Sequence, residues 1–436
     1  MKKNIFSLLV FLALFSKPVR SQEISSISKE DVLAKISEGN LALKISEKVF
    51  EIATAEFNQT RAVYLPNITA SYTGISTTNP LMAFGSKLNQ GILVQNDFNP
   101  ALLNNPAQTQ NFATVIKIEQ PLLNLDGFYQ RKAAKSSMEA MSLKHERTTD
   151  YLVFEVEKGY MQLQLAYKGV AVLEKALQAS KANKVMAENS FKQGYLQRAD
   201  VLSIEIRVTE VKNQLQTAKS NVQNASNYLS FLMDDKSGVI YEPKDSLFLT
   251  TFNDEEKNIS ENRADIKAMQ FASKAYEEMN KADKMAFLPR LNAFGSYEMY
   301  DTTIFQGNAS GYVIGAQLSW DIFQGSKRFG KEQESKAVFE KSKLEYNQYV
   351  SKSNLELNKV KRQLADAKNR LELTNLAVEQ SKESLRIRKN RFKEGLEKTP
   401  DLLTAETQFA QKQLEYYQTI FEYNFTQTYL EFLTKN

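Results

Sequence analysis

Ser190-Phe191-Lys192-Gln193-Gly194 through Asp200-Val201-Leu202 returns about 200 residues later as Arg391-Phe392-Lys393-Glu394-Gly395 through Asp401-Leu402-Leu403. In both copies six positions separate the Gly from the Asp. Only Gly takes left-handed backbone angles without a side-chain penalty, so Gly194 and Gly395 read as the points where helices reverse. The flanks agree, because no Pro occurs from Leu122 to Glu242 or from Arg290 to Thr399. Downstream of the first turn, Val201, Ile204, Val208, Val211, Leu215, Ala218, Val222, Ala225, Leu229 and Leu232 are spaced alternately three and four apart. Upstream of the second, Tyr346, Val350, Ser353, Leu357, Val360, Leu364, Ala367, Leu371, Thr374, Val378, Ser381 and Leu385 keep the same rhythm. A strict 3.5-residue period over this length predicts coiled-coil seams.

The last helix carries two seams: Leu402, Ala405, Phe409, Tyr416 and Tyr423, and beside them Leu403, Ala410, Leu414, Tyr417 and Phe421. A helix apolar on two adjacent stripes touches helices on both sides, as in a closed ring. Residues 128–190 as one helix would reach on the order of 90 Å at about 1.5 Å per residue. Gly159 and Gly169 inside it cost helix propensity and permit close packing.

Outside the helices, the chain also repeats. Tyr64-Leu65-Pro66 and Phe287-Leu288-Pro289 open the halves, and Gln120-Pro121-Leu122-Leu123 and Trp320-Asp321-Ile322-Phe323 open each long helical pattern. Each half is strand-strand-helix-helix, one architecture built by duplication. Tyr312, Ile314, Ala316, Leu318 and Trp320 alternate with Val313, Gly315, Gln317, Ser319 and Asp321. Leu291, Ala293, Gly295, Tyr297 and Met299 likewise oppose Asn292, Phe294, Ser296, Glu298 and Tyr300, and Phe112, Thr114, Ile116 and Ile118 alternate with their neighbours. Runs of about ten residues match a membrane-crossing strand, though an ordinary soluble sheet with one buried face has the same alternation. Tyr and Trp near the strand ends favour the membrane. Four strands cannot close by themselves, and a membrane tolerates no open sheet edge, so chains must pool their strands. Three chains would supply twelve.

Composition sets the compartment. Lys2 and Lys3, the apolar run 5–15 and Ser21 before Gln22 read as a signal peptide over 1–21. No later stretch is apolar enough for a transmembrane helix. The chain has no Cys, which excludes disulfides and a lipid-modified N-terminal Cys. The formal charge of +5 falls to about +1 once Lys2, Lys3, Lys17 and Arg20 leave, which argues against nucleic-acid binding. His145 is the only His and reads as a solvated helix-face residue. Zinc and Cys/His chemistry therefore have no basis, and no nucleophile elbow or P-loop occurs. No catalytic, cofactor or metal site is expected.

The chain resembles the TolC-like outer membrane efflux proteins over nearly its whole mature length. The duplicated Phe-x-x-Gly…Asp-(Val/Leu)-Leu segments carry the likeness, with Leu-Pro before each pair of strands. So does Asn262-Arg263-Ala264-Asp265-Ile266, similar to the family's Asn-Arg-Pro-Asp-Ile with Ala264 in place of Pro. The resemblance implies an α+β membrane protein: a homotrimer with a 12-stranded outer-membrane β-barrel continued by a periplasmic α-helical coiled-coil tunnel. It also implies an exit duct that works with a periplasmic adaptor and an inner-membrane pump, of the resistance-nodulation-division or ATP-binding-cassette class, in drug efflux or type I secretion. A periplasmic coiled-coil adaptor, or a structural membrane-associated coiled coil, is the rival reading.

On that plan, residues 22–234 form the first repeat, with a helix at 31–63, strands at 67–77 and 111–122, and helices at 128–190 and 199–233. An irregular equatorial segment is expected over 235–260. The second repeat, 261–436, has a helix at 261–286, strands at 289–300 and 311–323, and helices at 327–391 and 400–433. The first strand pair spans about 23 more residues than the second, which places a long loop in Asn79–Asn111. In the family, polar links and rings of Asp close the periplasmic entrance, and Asp200 and Asp401 hold the matching positions. Phe392, Glu397 and Thr404 depart from the family's linking Tyr, Arg and second Asp, and Asp401 after Thr399-Pro400 also reads as an acid in a first helical turn. Gly194, Gly395, Arg388, Arg391 and Lys393 are candidate contacts for the adaptor, within a basic cluster that includes Arg386, Lys389 and Lys398.

Overall fold

A computed structural model describes residues 23–250 and 258–435. The expected signal peptide and the middle of the expected equatorial segment, 251–257, lie outside these residues. The chain divides into two compact units, one of residues 48–144 and 265–349, the other of the remaining described residues.

The first unit is built on a four-stranded antiparallel sheet of β2 (Asn67–Thr77), β3 (Thr109–Leu123), β5 (Arg290–Asp301) and β6 (Ala309–Ser319), in the order β2-β3-β5-β6. Register aligns the alternating patterns. Tyr72 sits opposite Thr114 and Ile68 opposite Ile118; Ile116 faces Tyr297, which faces Tyr312. One face of the sheet therefore gathers Ile68, Tyr72, Ile116, Ile118, Tyr297, Tyr312, Ile314 and Leu318, and Ile314 stands 79% exposed. The opposite face gathers Lys117, Glu119, Asn292, Ser296, Glu298 and Gln317. The outer edges of β2 and β6 have no partner strand within the described chain.

Several expected elements change here. The loop over 79–111 contains two short helices, α3 (Pro80–Asn89) and α4 (Pro100–Asn104), and a 3-10 turn at Gln95–Phe98. Asn79 accepts from the Met82 N–H at 3.2 Å and Asn99 from the Ala101 N–H at 3.0 Å. Each Asn-Pro serves here as N-cap and first-turn proline. Gln90 anchors the insertion to the sheet by donating to the Gln110 and Asp301 carbonyls at 2.8 and 3.1 Å. The strand expected over 311–323 stops at Ser319. Trp320 Nε1 donates to the Phe287 carbonyl at 3.0 Å, and the Arg328 guanidinium takes the Asp321 and Ile322 carbonyls, removing them from the ladder.

The second unit is helical, and the helical stretches 48–63, 125–144, 265–285 and 327–349 belong to the first. The helix expected over 31–63 is broken: α1 (Lys29–Gly39) and α2 (Leu41–Gln59) meet at Asn40, and a 3-10 turn follows at Thr60–Val63. Asn40 Nδ2 donates to the Leu232 carbonyl at 2.7 Å while its Oδ1 accepts from the Leu43 N–H at 3.0 Å, so one buried side chain breaks and re-caps the helix. The long helices are α5 (Leu125–Lys192), α6 (Arg198–Met233), α8 (Lys327–Lys393) and α9 (Thr399–Thr434), and α7 spans Ala264–Met285. The other element ends differ from the expected ones by three residues or fewer.

The 3.5-residue seams are the buried stripes. Val201, Ile204, Val211 and Leu229 on α6 are at most 1% exposed, and Leu357 and Val360 on α8 are buried against Leu430 and Leu433 of α9. A Cβ on Gly159 would lie 3.1 Å from Leu229 Cδ2, so this glycine lets α5 and α6 approach. Beyond the seam, Leu355 and Leu373 of α8 remain 66% and 68% exposed.

A small parallel pair that the sequence pattern does not announce completes this unit. β1 (Ile24–Ile27) aligns with β4 (Ile240–Pro243), pairing Ile24 with Ile240 and Ile27 with Pro243. Ile27 and Tyr241 enter the main core with Val32, Val156, Leu163 and Leu229. His145 is half-buried rather than solvated, its Nδ1 lying 2.8 Å from Ser46 Oγ.

Candidate functional site

The two reversals of the helical unit have the same construction. At the end of α5 the Gly194 N–H donates to the Phe191 carbonyl and the Tyr195 N–H to the Ser190 carbonyl, both at 2.9 Å. At the end of α8 the Gly395 N–H donates to Phe392 at 3.1 Å and the Leu396 N–H to Arg391 at 2.9 Å. This double bond pattern closes a helix only when the residue after the cap is left-handed. Gly194 and Gly395 supply φ of +83° and +72°. Neither has an atom within 4 Å of the position a Cβ would take, so backbone angle alone reserves the positions for Gly.

The two aspartates diverge. Asp200 is half-buried, and its Oδ2 accepts from the Gln197 N–H at 3.1 Å, so it caps the start of α6. Asp401 is exposed in the first turn of α9, and its carboxylate takes no hydrogen bond or ion pair among the described residues. The helix start also shifts by one: Lys398 is the cap position, without a side-chain cap bond, and Thr399 and Pro400 lie inside the helix. No hydrogen bond joins Asp200 to Asp401.

The three arginines of the basic cluster are engaged within the chain. Arg388 Nη1 donates to Glu397 Oε1 at 2.6 Å and Arg391 Nε to Glu397 Oε2 at 2.9 Å. Arg391 Nη2 also reaches the Leu396 carbonyl at 3.2 Å. Glu397, only 10% exposed, thereby bolts the second turn to the end of α8. Arg386 forms a two-bond pair with Glu383 at 2.8 and 2.7 Å, which holds the Glu383 carboxyl below its ordinary range. Lys393 and Lys398 are exposed and have no ion pair among the described residues. The sequence reading singled out the arginines and passed over Glu397 as a bonding partner. The signal was present in its spacing, since Glu397 lies within one turn of two arginines once the chain reverses at Gly395.

A second residue was missed altogether. Glu406 lies five positions after Asp401, as Glu205 lies five after Asp200. Glu205 is partly exposed and pairs with Lys184 on the neighbouring helix of its own hairpin at 3.2 Å. Glu406 is 7% exposed and accepts from Asn183, a residue of α5 in the other hairpin that is itself 1% exposed. Glu406 Oε2 and the Nε of buried Arg207 on α6 have no hydrogen-bond partner. Burial pushes the Glu406 carboxyl up to about 7, against the opposing charges of Arg207 and Lys389. Among the described residues, no group of His, Cys, Asp and Glu is arranged to hold a metal ion, and no helix is long and apolar enough to cross a membrane.

Comparison with known proteins places this geometry. The profile of the outer membrane efflux proteins matches residues 32–234 and 257–430. The fold is similar to a membrane protein from Pseudomonas aeruginosa, with TM-score 0.82, 16% identity, and 96% of this chain and 97% of that chain covered. It is similar to the outer membrane channel CmeC of Campylobacter jejuni, with TM-score 0.79, 17% identity, and 97% and 90% covered. The outer membrane protein VceC of Vibrio cholerae follows with TM-score 0.79, 16% identity, and 93% and 96% covered. No curated relative matches the sequence.

Proposed function

The chain belongs to the outer membrane efflux protein family, and from that premise we propose that three copies form one passive exit duct through the outer membrane. The duct receives substrate from a periplasmic adaptor and an inner-membrane pump and releases it outside. Its strands form a twelve-stranded barrel in lipid and its helical hairpins a periplasmic tunnel, with no catalytic step.

The observation that supports this best is the four-stranded sheet. It has an apolar face and a polar face, and both outer strands lack partners. In hydrocarbon, each unpaired N–H or C=O costs several kcal/mol, so strands of eleven residues at both edges cannot face lipid unpaired. Pairing β6 of one copy with β2 of the next satisfies every edge when the ring closes. The apolar face then meets lipid and Lys117, Glu119 and Glu298 line the lumen. The exposed Leu355 and Leu373 of α8 support the same closure, since a helix ring would cover them.

At the periplasmic end, three copies of Asp401 would share one axis. Uncommitted carboxylates there repel one another and attract cations, narrowing and biasing the resting entrance. The Gly194 and Gly395 turns with exposed Lys393 and Lys398 form the face offered to the adaptor. Native mass spectrometry of the detergent-purified protein, with planar-bilayer conductance, tests the duct. A conducting trimer is expected. A monomer that keeps its full strand content and conducts would overturn the reading.

A further inference from the structure

The duplicated plan makes Glu205 and Glu406 counterparts, yet their surroundings are opposite. Glu205 bonds within its own hairpin and meets solvent, whereas Glu406 is buried and bonds across to Asn183 of the other hairpin. A carboxylate retained in that setting has a high desolvation cost unless it is neutral or fully paired. It is not fully paired, because Oε2 is unbonded. The groups facing it come from three helices. Asn183 on α5 is neutral, and the adjacent Lys184 is committed to Glu188 and Glu205. Arg207 on α6 directs Nη1 to Glu210 at 3.4 Å, and half-buried Lys389 on α8 supplies only a through-space charge.

We propose that Glu406 is a proton-controlled latch between the two helical hairpins, holding α9 against α5 when neutral and releasing it when ionised. The direction follows from where the proton binds more tightly. Packed, the carboxyl titrates near 7; separated and solvated, it returns toward the ordinary 4.5. The packed arrangement thus binds the proton preferentially, so packing is fully supported below about pH 4.5 and weakens as pH rises through 7. Between pH 6 and pH 8 these two values change the packing equilibrium by about tenfold. The latch depends on the duct reading only for its consequence, a tunnel that loosens on the alkaline side.

The chain has no Cys, so one introduced thiol can be labelled by itself. Ala410, 7% exposed and about one turn beyond Glu406, becomes Ala410→Cys; exposed Thr407→Cys on the same helix serves as reference. Full-length protein in detergent is labelled with a maleimide at pH 6, 7 and 8. The ratio of the two rates removes the thiol's own pH dependence. The ratio should rise about tenfold from pH 6 to pH 8. In Glu406→Gln, a neutral side chain that still accepts from Asn183, it should stay flat at the low value. In Arg207→Gln the rise should become larger and continue to higher pH, because losing the positive charge raises the packed carboxyl while the separated one keeps its ordinary value. Amide exchange of α9 at pH 6 and 8, corrected for intrinsic rates, repeats the comparison with no substitution. A flat ratio and unchanged exchange in protein containing Glu406 would overturn the latch, as would an undiminished pH response in Glu406→Gln. Neither readout uses conductance, so failure of the latch leaves the duct reading untouched, and failure to form a conducting trimer leaves this measurement valid.

Discussion

Replacing Gly395 with Val isolates what the helix reversal contributes. At φ +72° this residue lets the Leu396 N–H reach the Arg391 carbonyl and its own N–H reach Phe392. A Cβ would meet nothing within 4 Å, so Val introduces no overlap with neighbouring atoms and the penalty is conformational. Left-handed angles cost an L-residue about 1–2 kcal/mol, with a β-branched side chain at the upper end. That corresponds to about 5–30-fold faster opening of the turn. Hydrogen exchange of the peptide spanning residues 388–400 reads it directly. Asn tolerates the left-handed region, so Gly395→Asn should recover most of the lost protection, and adaptor-dependent export should follow the same order. Membrane insertion should be unchanged in both, because the strands are far away in sequence and carry their own ladder bonds. Equal exchange in Val and Gly, or Asn as damaging as Val, would refute the argument and mean that the angle is not what reserves this position.

Asp401→Asn should weaken divalent-cation block and reduce cation selectivity in bilayer recordings while trimer yield stays constant; unchanged conductance, selectivity and block would leave Asp401 as a helix-starting residue only. Lys393→Glu with Lys398→Glu should lower pump-dependent export several-fold without loss of trimers, since both are exposed cations of the second turn with no ion pair among the described residues. Reversing Arg388 instead should loosen the second turn in limited proteolysis, because it breaks a bond to Glu397. Equal proteolysis of native protein and Arg388→Glu would count against that role.

How much of this molecule was legible in its residues depends on the range of the forces involved. Helices and their buried stripes follow from a 3.5-residue period that every turn repeats, so Val201 through Leu232 announce their seam without tertiary information. The turns at Gly194 and Gly395 are equally local, because a left-handed angle is a property of one residue. Strand alternation likewise identified an apolar and a polar face, and register merely aligned the strands that carry them. Other features required distant segments to meet. Ile24–Ile27 is too short and too weakly patterned to declare a strand until Ile240–Pro243 pairs with it. Asn40 looks like any helix residue until the Leu232 carbonyl gives it a reason to break the helix. Asp200 and Asp401, matched in the repeat, differ because one carboxylate turned back onto a backbone N–H and the other did not. Glu205 and Glu406 are indistinguishable by spacing. Only the packing of α9 across to α5 decided that one stays in solvent and the other loses it, and desolvation, unlike periodicity, is set by everything that surrounds a side chain.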